Sequence, residues 1–478
     1  MLSPSERVFG LRFDQLTALH LGVMALILVS VGRVHDHVGP LAALRPGLIL
    51  TALCLVAFLL RPSGARVSPA FSVLPVRLLS LLAGVICVSA VMGLSIGASG
   101  NFILTSLIPV FFLFGFIVFS VQSVDALKGM VWAMMMAVFA VAFTSVFLSD
   151  AIHFDGYRRL GGAGMYDGND IGVVFLTGVP LALAIVASRG WMSRVMSVMA
   201  IGLALTALLL AASRGGFIGL IVGGSAMLVL TPGWSPVRKT CVAVAIVVGV
   251  LALAPDGYWQ LMASLLEPTA DYNVTSETGR VAIWTRGLGY VAQFPVLGVG
   301  PDNFIRAGWM ISDIGQVGLA GVGLRDQVAH NTFLQVWAEL GTVGLLVWLA
   351  IIGTGIVAPL KLRTRFPSWW LKHGTTDQRF LYLLSSYLPA AYIGFSVTSF
   401  FVTHAYTSIF YALTGICAGF LIVSERELRS LKQARRHMHG GGYRTSGVEN
   451  ASRSPARSAR IEGFRNVNRR NVRSSVSR

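Results

Sequence analysis

Apolar runs of about twenty residues, nearly free of ionisable groups, alternate along the chain with short segments that hold Arg, Lys, Gly and Pro. The runs fall near 15–34, 41–60, 73–93, 102–121, 128–149, 171–188, 192–212, 215–231, 238–254, 332–358, 380–400 and 405–423. About 20 apolar residues in a helix cross a hydrocarbon core of about 30 Å, whereas barrel strands would be about ten residues long and alternating. The pattern predicts an all-α polytopic membrane protein with about 12 transmembrane helices, in which every backbone polar group inside the bilayer is satisfied within its own helix. The first run lacks a basic leader, a short apolar stretch and a small-residue cleavage site, so it reads as a retained helix. Four parts follow: helices one to nine over 1–254, a large segment over 255–331, helices ten to twelve over 332–424, and a polar tail over 425–478.

Composition agrees with the pattern. With 54% apolar and 12% charged residues among 478 and a mean hydropathy of +0.70, the chain is too apolar for a soluble globular protein of this length. Arg61 and Arg66, Arg189 and Arg194, Arg238 and Lys239, and Lys361, Arg363, Arg365 and Lys372 fall on one side of the predicted helices. The loop at 94–101, without charge, falls on the other. The positive-inside rule puts the basic side in the cytoplasm, which places both termini there and turns 255–331 outward. The tail at 425–478 holds 14 Lys and Arg against 4 Asp and Glu and carries +10 of the chain's +17. It reads as a disordered anchor drawn to anionic lipid, and Tyr443 and Phe464 do not supply the aromatic or folded context of a nucleic-acid site. Cys54, Cys87, Cys241 and Cys417 lie inside apolar runs without CxxC spacing, which argues against disulfides or zinc.

The segment 255–331 is the one outward loop long enough to fold on its own, and function concentrates in such loops. Ser276-Glu277-Thr278-Gly279 offers helix caps, and Val281, Trp284, Leu288 and Val291 recur as an amphipathic stripe. The predicted helix lies along the membrane surface. Phe294-Pro295 ends it, and Gly298, Gly300 and Pro301 build a tight turn before Asp302-Asn303-Phe304. The segment carries seven acids, Asp256, Glu267, Asp271, Glu277, Asp302, Asp313 and Asp326, and four arginines, Arg280, Arg286, Arg306 and Arg325, but no lysine. Arginine without lysine favours bidentate recognition of phosphate or carboxylate, with internal salt bridges as the plainer use of the same residues.

Two further positions stand out. Ser213-Arg214-Gly215-Gly216 joins two apolar runs with almost no loop to hold the arginine in water. A charge so close to hydrocarbon is costly and marks a functional site, the alternative being a side chain that snorkels to lipid phosphate. His330-Asn331, followed by nine residues and then Gly341-Thr342-Val343-Gly344, places His330 in the first turn of a spanning helix at the membrane interface. A helix N-terminus disfavours imidazolium and attracts phosphate, although a lone interfacial histidine often does no more than bond a carbonyl. Gly341 falls about 16 Å along that helix, where a glycine lets a neighbouring helix pack closely. The other outward loop holds Arg158-Arg159-Leu160-Gly161-Gly162 and Asp167-Gly168-Asn169-Asp170. Without a further acid downstream it reads as a turn and an Asx cap rather than a divalent-metal loop.

Together these features resemble the O-antigen ligase and O-antigen polymerase superfamily of bacterial envelope glycosyltransferases, over roughly residues 150–360 and in the span count. The resemblance rests on Ser213-Arg214-Gly215-Gly216, on Arg280 to Trp284, on Gly298-Val299-Gly300 with Phe304, and above all on His330-Asn331-x9-Gly341-x-x-Gly344. It implies a GT-C-like helical membrane fold with its large periplasmic loop between spans nine and ten, in the bacterial inner membrane. The implied donor is an undecaprenyl-pyrophosphate-linked glycan and the implied acceptor lipid A-core or a growing glycan, with membrane lipids and other polysaccharide-assembly proteins as partners. No metal, nucleotide sugar, other cofactor or nucleic acid is implied. By resemblance His330 is the catalytic histidine, Arg214 and Arg280 bind pyrophosphate, and Arg286 and Arg306 are weaker candidates for the same role. The family has a proline before the asparagine where this chain has Gly168.

The chemistry fits the resemblance. Transfer from a lipid pyrophosphate needs a base for the acceptor hydroxyl and donors for the leaving group's charge, and direct displacement inverts the anomeric carbon. The unbroken His-Asn motif favours a ligase over a polymerase joining repeat units. A transporter of lipid-linked oligosaccharide would show internal repeats or charged mid-membrane helices, which the runs do not display. A scaffold for polysaccharide assembly would leave His330 dispensable.

Overall fold

The structure is a computed structural model that describes residues 17–61, 69–149, 151–154, 157–161, 166–186, 191–255, 257–267, 272–276, 279–311 and 327–440. Asp256, Asp271, Glu277, Asp313, Arg325, Asp326 and the tail beyond Gly440 lie outside the described residues.

The protein is an all-α polytopic membrane protein. Among the described residues, eight helices are long and apolar enough to cross a membrane: α3 (Leu74–Met92), α4 (Ile96–Ser120), α5 (Val124–Phe147), α7 (Trp191–Leu210), α9 (Pro236–Leu253), α13 (Thr332–Arg363), α14 (Thr376–Ser399) and the last, α15, which is apolar over Ser408–Ala434 and runs on to Gly440. Four shorter apolar helices occupy the remaining predicted runs: α1 (Ala18–Gly32), α2 (Pro46–Leu59), α6 (Asp170–Val186) and α8 (Arg214–Leu230). Because α15 continues through Glu425 to Gly440, the expected disorder of the tail does not begin at 425. The stretch from Glu425 to Ala434 is rich in helix-favouring Glu, Arg, Leu, Lys, Gln and Ala.

The centre of the fold is α14, which packs on α6, α8 and α13, while α7 packs on α5 and α6 and α1 on α5. Small residues make these approaches possible, as expected where helices must meet without a hydrophobic driving force. A Cβ on Gly223 of α8 would lie 3.3 Å from the Gly394 Cα of α14. Lys128, at the start of α5, is buried and paired with Asp125 at 3.2 Å and with Asp377 of α14 at 2.5 Å, so its charge is compensated. In contrast α9 has no buried residue and presents Val244, Val247, Val248 and Leu251 outward.

One departure from the helical pattern is a short antiparallel hairpin, β1 (Ala151–Phe154) with β2 (Tyr157–Leu160), in which Ile152 faces Arg159. Its signal lies in the Asp155-Gly156 pair between β-branched and aromatic residues. The extramembrane segment contributes α10 (Tyr258–Ala263), α11 (Arg280–Gln293) and α12 (Phe304–Met310). The buried face of α11 is Ile283, Gly287, Tyr290 and Val291, with Trp284 partly buried, whereas Val281 and Leu288 are exposed. The stripe expected from Val281, Trp284, Leu288 and Val291 is thus rotated. Gly287 admits Leu334 of α13, whose Cδ2 lies 2.8 Å from where a Cβ would be, and this contact rather than the apolar stripe sets the helix's roll. Of the expected caps Ser276-Glu277-Thr278-Gly279, the N-cap is Gly279, which makes no side-chain bond.

Candidate active site

The site is built around an interruption in α13. Gly341 has φ +66 in the middle of the helix, and the two helical bonds that would close over it are replaced. The N–H groups of Thr342 and Val343 donate to the carbonyls of Pro295 (2.9 Å) and Val296 (3.3 Å), while the freed carbonyls of Ala338 and Glu339 accept from Val299 (2.8 Å) and Gly300 (2.9 Å). Residues 295–300 are therefore stitched into the helix. The expectation that Gly341 serves close helix packing is corrected: its left-handed backbone opens the helix to a turn, and a Cβ there would run into the Val296 carbonyl. Gly298 (φ +72) and Gly300 (φ +96) form the predicted tight turn and lie against the Glu339 carbonyl and Asn303. Ser89 of α3 closes the arrangement by donating to the carbonyls of Leu297 (2.7 Å) and Glu339 (2.8 Å). The buried Glu339 carboxylate takes the Phe304 N–H at 3.2 Å, which orients the start of α12.

At the other end of the same stretch of α13 stands His330. It lies just outside the helix and not in its first turn, because Asn331 is the N-cap, its Oδ1 accepting from Phe333 N (3.0 Å) and Leu334 N (3.1 Å). His330 itself has φ +45, a conformation that a non-glycine residue holds only when its surroundings impose it. Its N–H donates to Thr403 Oγ1 at 2.9 Å. The side chain is partly buried. Burial, and then the Arg280 guanidinium, hold its pKa below the usual histidine value against the opposing charges of Asp167 and Asp170, so the ring is neutral at pH 7 and able to accept a proton.

Arg280 opens α11, and Trp284, one turn on, donates its indole N–H to the Ala329 carbonyl at 3.1 Å and meets Phe400 edge to face. That bond carries the helix up to the residue before His330. Arg286 donates to Gln327 Oε1 at 2.5 Å, three residues before His330. Arg306 is exposed on α12, where its charge acts on Asp302 against a burial that pushes that carboxyl upward. The structure thus gathers Arg280 and Arg286 toward His330 and sets Arg306 with Asp302.

Arg214 is the first residue of α8, with Ser213 as its N-cap accepting the Gly216 N–H at 3.2 Å, and it donates to Ser264 Oγ at 3.1 Å. Gly215 lies against Phe401, a Cβ there meeting the Phe401 ring at 2.9 Å, and Gly216 lies against Gly172. The start of α8 therefore meets the start of α6 and the turn between α14 and α15. In the loop before α6, Asp167 Oδ1 accepts from the N–H groups of Asn169 (2.6 Å) and Asp170 (2.9 Å), which is an Asx turn opening that helix. The residues before α6, before α8, before α13 and between α14 and α15 converge at one end of the helices.

Residues 199–349 match the family model of the O-antigen ligase. The match supports the O-antigen ligase and polymerase superfamily. It spans Arg214, Arg280, Arg286, Arg306, His330, Gly341 and Gly344 and supports a glycosyltransferase-like membrane enzyme of O-antigen ligase type. No curated protein matches the chain. Three residues at this end of the molecule escaped the sequence reading. Thr403 and His404 sit in the break between the last two apolar runs, where a histidine in an outward turn was the available signal. Glu339 was visible as the one acid within the run 332–358.

Proposed function

We propose that this protein transfers an undecaprenyl-pyrophosphate-linked glycan to an acceptor hydroxyl at the periplasmic face of the bacterial inner membrane, as an O-antigen ligase. In this reading the chain crosses the membrane twelve times with both termini in the cytoplasm, and the segment 255–331 faces outward. His330 removes the acceptor hydroxyl proton as that oxygen attacks the anomeric carbon. The bond from that carbon to the phosphate oxygen breaks, and undecaprenyl pyrophosphate leaves with the electron pair. Arg214 and Arg280, with Arg286 nearby, hold the charge that grows on the pyrophosphate. The step inverts the anomeric carbon and uses no metal.

The observation that carries the reading is the place of His330, a partly buried imidazole just before the Asn331 cap of α13, which burial first and the Arg280 guanidinium second hold below the usual histidine pKa. One cation field serves both halves of the reaction, because it favours a free imidazole before transfer and a departing dianion after it.

The test is envelope glycan analysis in a deletion strain complemented with wild type, His330→Ala or Arg214→Ala, reading lipopolysaccharide ladders and the lipid-linked pool. A lost ladder with long glycan accumulating on undecaprenyl pyrophosphate supports the ligase. Single repeat units accumulating instead would make the enzyme a polymerase, and full complementation by His330→Ala would remove the catalytic assignment.

A further inference from the structure

The turn between α14 and α15 is fastened to the start of α13 by a dense set of bonds. Thr403 Oγ1 accepts the His330 N–H (2.9 Å), Thr332 Oγ1 donates to the Val402 carbonyl (2.7 Å) and accepts the His404 N–H (2.9 Å), and Gln335 Oε1 accepts the Ala405 N–H (3.4 Å). From the opposite side the His404 ring, 3% exposed, reaches the start of α6, its Nε2 lying 2.9 Å from Asp170 Oδ1 and its Nδ1 3.0 Å from Thr407 Oγ1. The buried Tyr166 ring stacks beside it at 6.3 Å between centroids. Asp170 is itself fixed, with Oδ2 accepting the Asp167 N–H at 3.0 Å. Both members of the pair lie outside the matched stretch 199–349.

A buried histidine in contact with a carboxylate usually invites a catalytic role, yet His404 is enclosed on every described side and has no open face toward a substrate. What it controls is the turn. The left-handed backbone of His330 is strained for a non-glycine residue and persists only where neighbours over-determine it. Thr403 is the neighbour that takes its N–H, and the position of Thr403 is set on one side by Thr332 and on the other by His404.

We propose that His404 and Asp170 form a positioning pair that clasps the α14–α15 turn onto α6, and through Thr403 holds His330 in the conformation from which it acts. The proposal rests on the catalytic reading of His330 for its effect on transfer, but not for its effect on the backbone. The pair is a remote determinant of the histidine's aim, contributed by the last helical hairpin of the chain.

The test uses the full-length protein in detergent for hydrogen exchange at the His330 amide, read from overlapping peptides. Transfer is read as lipopolysaccharide ladder intensity in a complemented deletion strain at matched expression. His404→Leu is expected to speed exchange at that amide by about tenfold, as loss of one ordered contact to a charged partner would, and to lower transfer by a similar factor. His404→Gln, which keeps an N–H donor toward Asp170, is expected to restore most of both. Asp170→Asn is milder at the same contact, with about a threefold change expected, and decides the matter where His404→Leu does not fold. Wild-type exchange in these variants, wild-type transfer despite faster exchange, or equal loss in His404→Leu and His404→Gln would each overturn the clasp. His330→Ala is assayed alongside. If it transfers glycan normally, the catalytic reading falls while the exchange data still decide the clasp. If it is inactive and His404→Leu behaves as wild type in both measurements, the clasp alone falls.

Discussion

Trp284 donates its indole N–H to the Ala329 carbonyl at 3.1 Å, one residue before His330, and so ties the roll of α11 to the entrance of α13. Trp284→Phe keeps an aromatic ring against Phe400 but removes the donor. The expected cost is about 1 kcal/mol of stability, together with a several-fold loss of transfer because Arg280 and His330 lose their common reference. Thermal melting and ladder intensity at matched expression check it, and wild-type transfer would show that the tie is dispensable.

Gly341→Ala places a methyl group against the Val296 carbonyl on a backbone with φ +66. The strain of that conformation is about 1–3 kcal/mol for a non-glycine residue before the clash is counted. The variant is expected to melt lower than wild type and to expose 295–300 to proteolysis. Gly353→Ala is the comparison, since a Cβ at Gly353 of the same helix meets nothing within 4 Å.

Strain and chemistry at His330 are separable. Asparagine tolerates the left-handed region better than alanine does, so His330→Asn is expected to fold as wild type does and still lose activity by about 10²-fold or more, as removal of a general base does. A His330→Asn protein that retains transfer would assign the histidine to structure.

The pH dependence has a definite sign. Protonation of His330 removes the base, and burial with the Arg280 charge keeps its pKa below the usual histidine value, so the acidic limb of the transfer rate lies at lower pH than an unperturbed histidine would give. Arg280→Gln removes one of the two causes that lower it, and the limb is expected to move to higher pH with a lower plateau. Initial rates against pH in inverted and right-side-out vesicles from the complemented strain would show it. A limb that stays in place would mean that the two side chains do not share a field.

Arg306→Ala is expected to keep transfer within about threefold of wild type, as exposed charge pairs contribute little. The Asp302 carboxyl, already raised by burial and lowered by Arg306, would rise further. A loss comparable to that of Arg214→Ala would return Arg306 to the pyrophosphate site.

Much of the fold was legible because a bilayer leaves few options: an apolar run of the right length has to be a helix, and each described apolar helix falls on a predicted run. The site was legible where a polar residue sat at the end of such a run, as with Arg214 and His330. The roll of α11 was hidden because Gly287, which carries no apolar side chain, is the residue that α13 presses against. The break at Gly341 was hidden because its replacement partners lie at 295–300, and local periodicity carries no information about a bond between segments about 40 residues apart. His404 was hidden for a related reason: its partner Asp170 is 234 positions away.

The stitching of 295–300 into α13 also sets an order of events. The ribosome completes the extramembrane segment before it makes Ala338 to Val343, so for a time the Val299 and Gly300 N–H groups lack the carbonyls that take them in the finished fold. The turn at Gly298 and Gly300 closes only when α13 has entered the membrane, and the turn that carries Thr403 and His404 arrives later still. Assembly at this end of the molecule is therefore finished by its last hairpin, and a chain halted before that point is an anchored protein without a finished site.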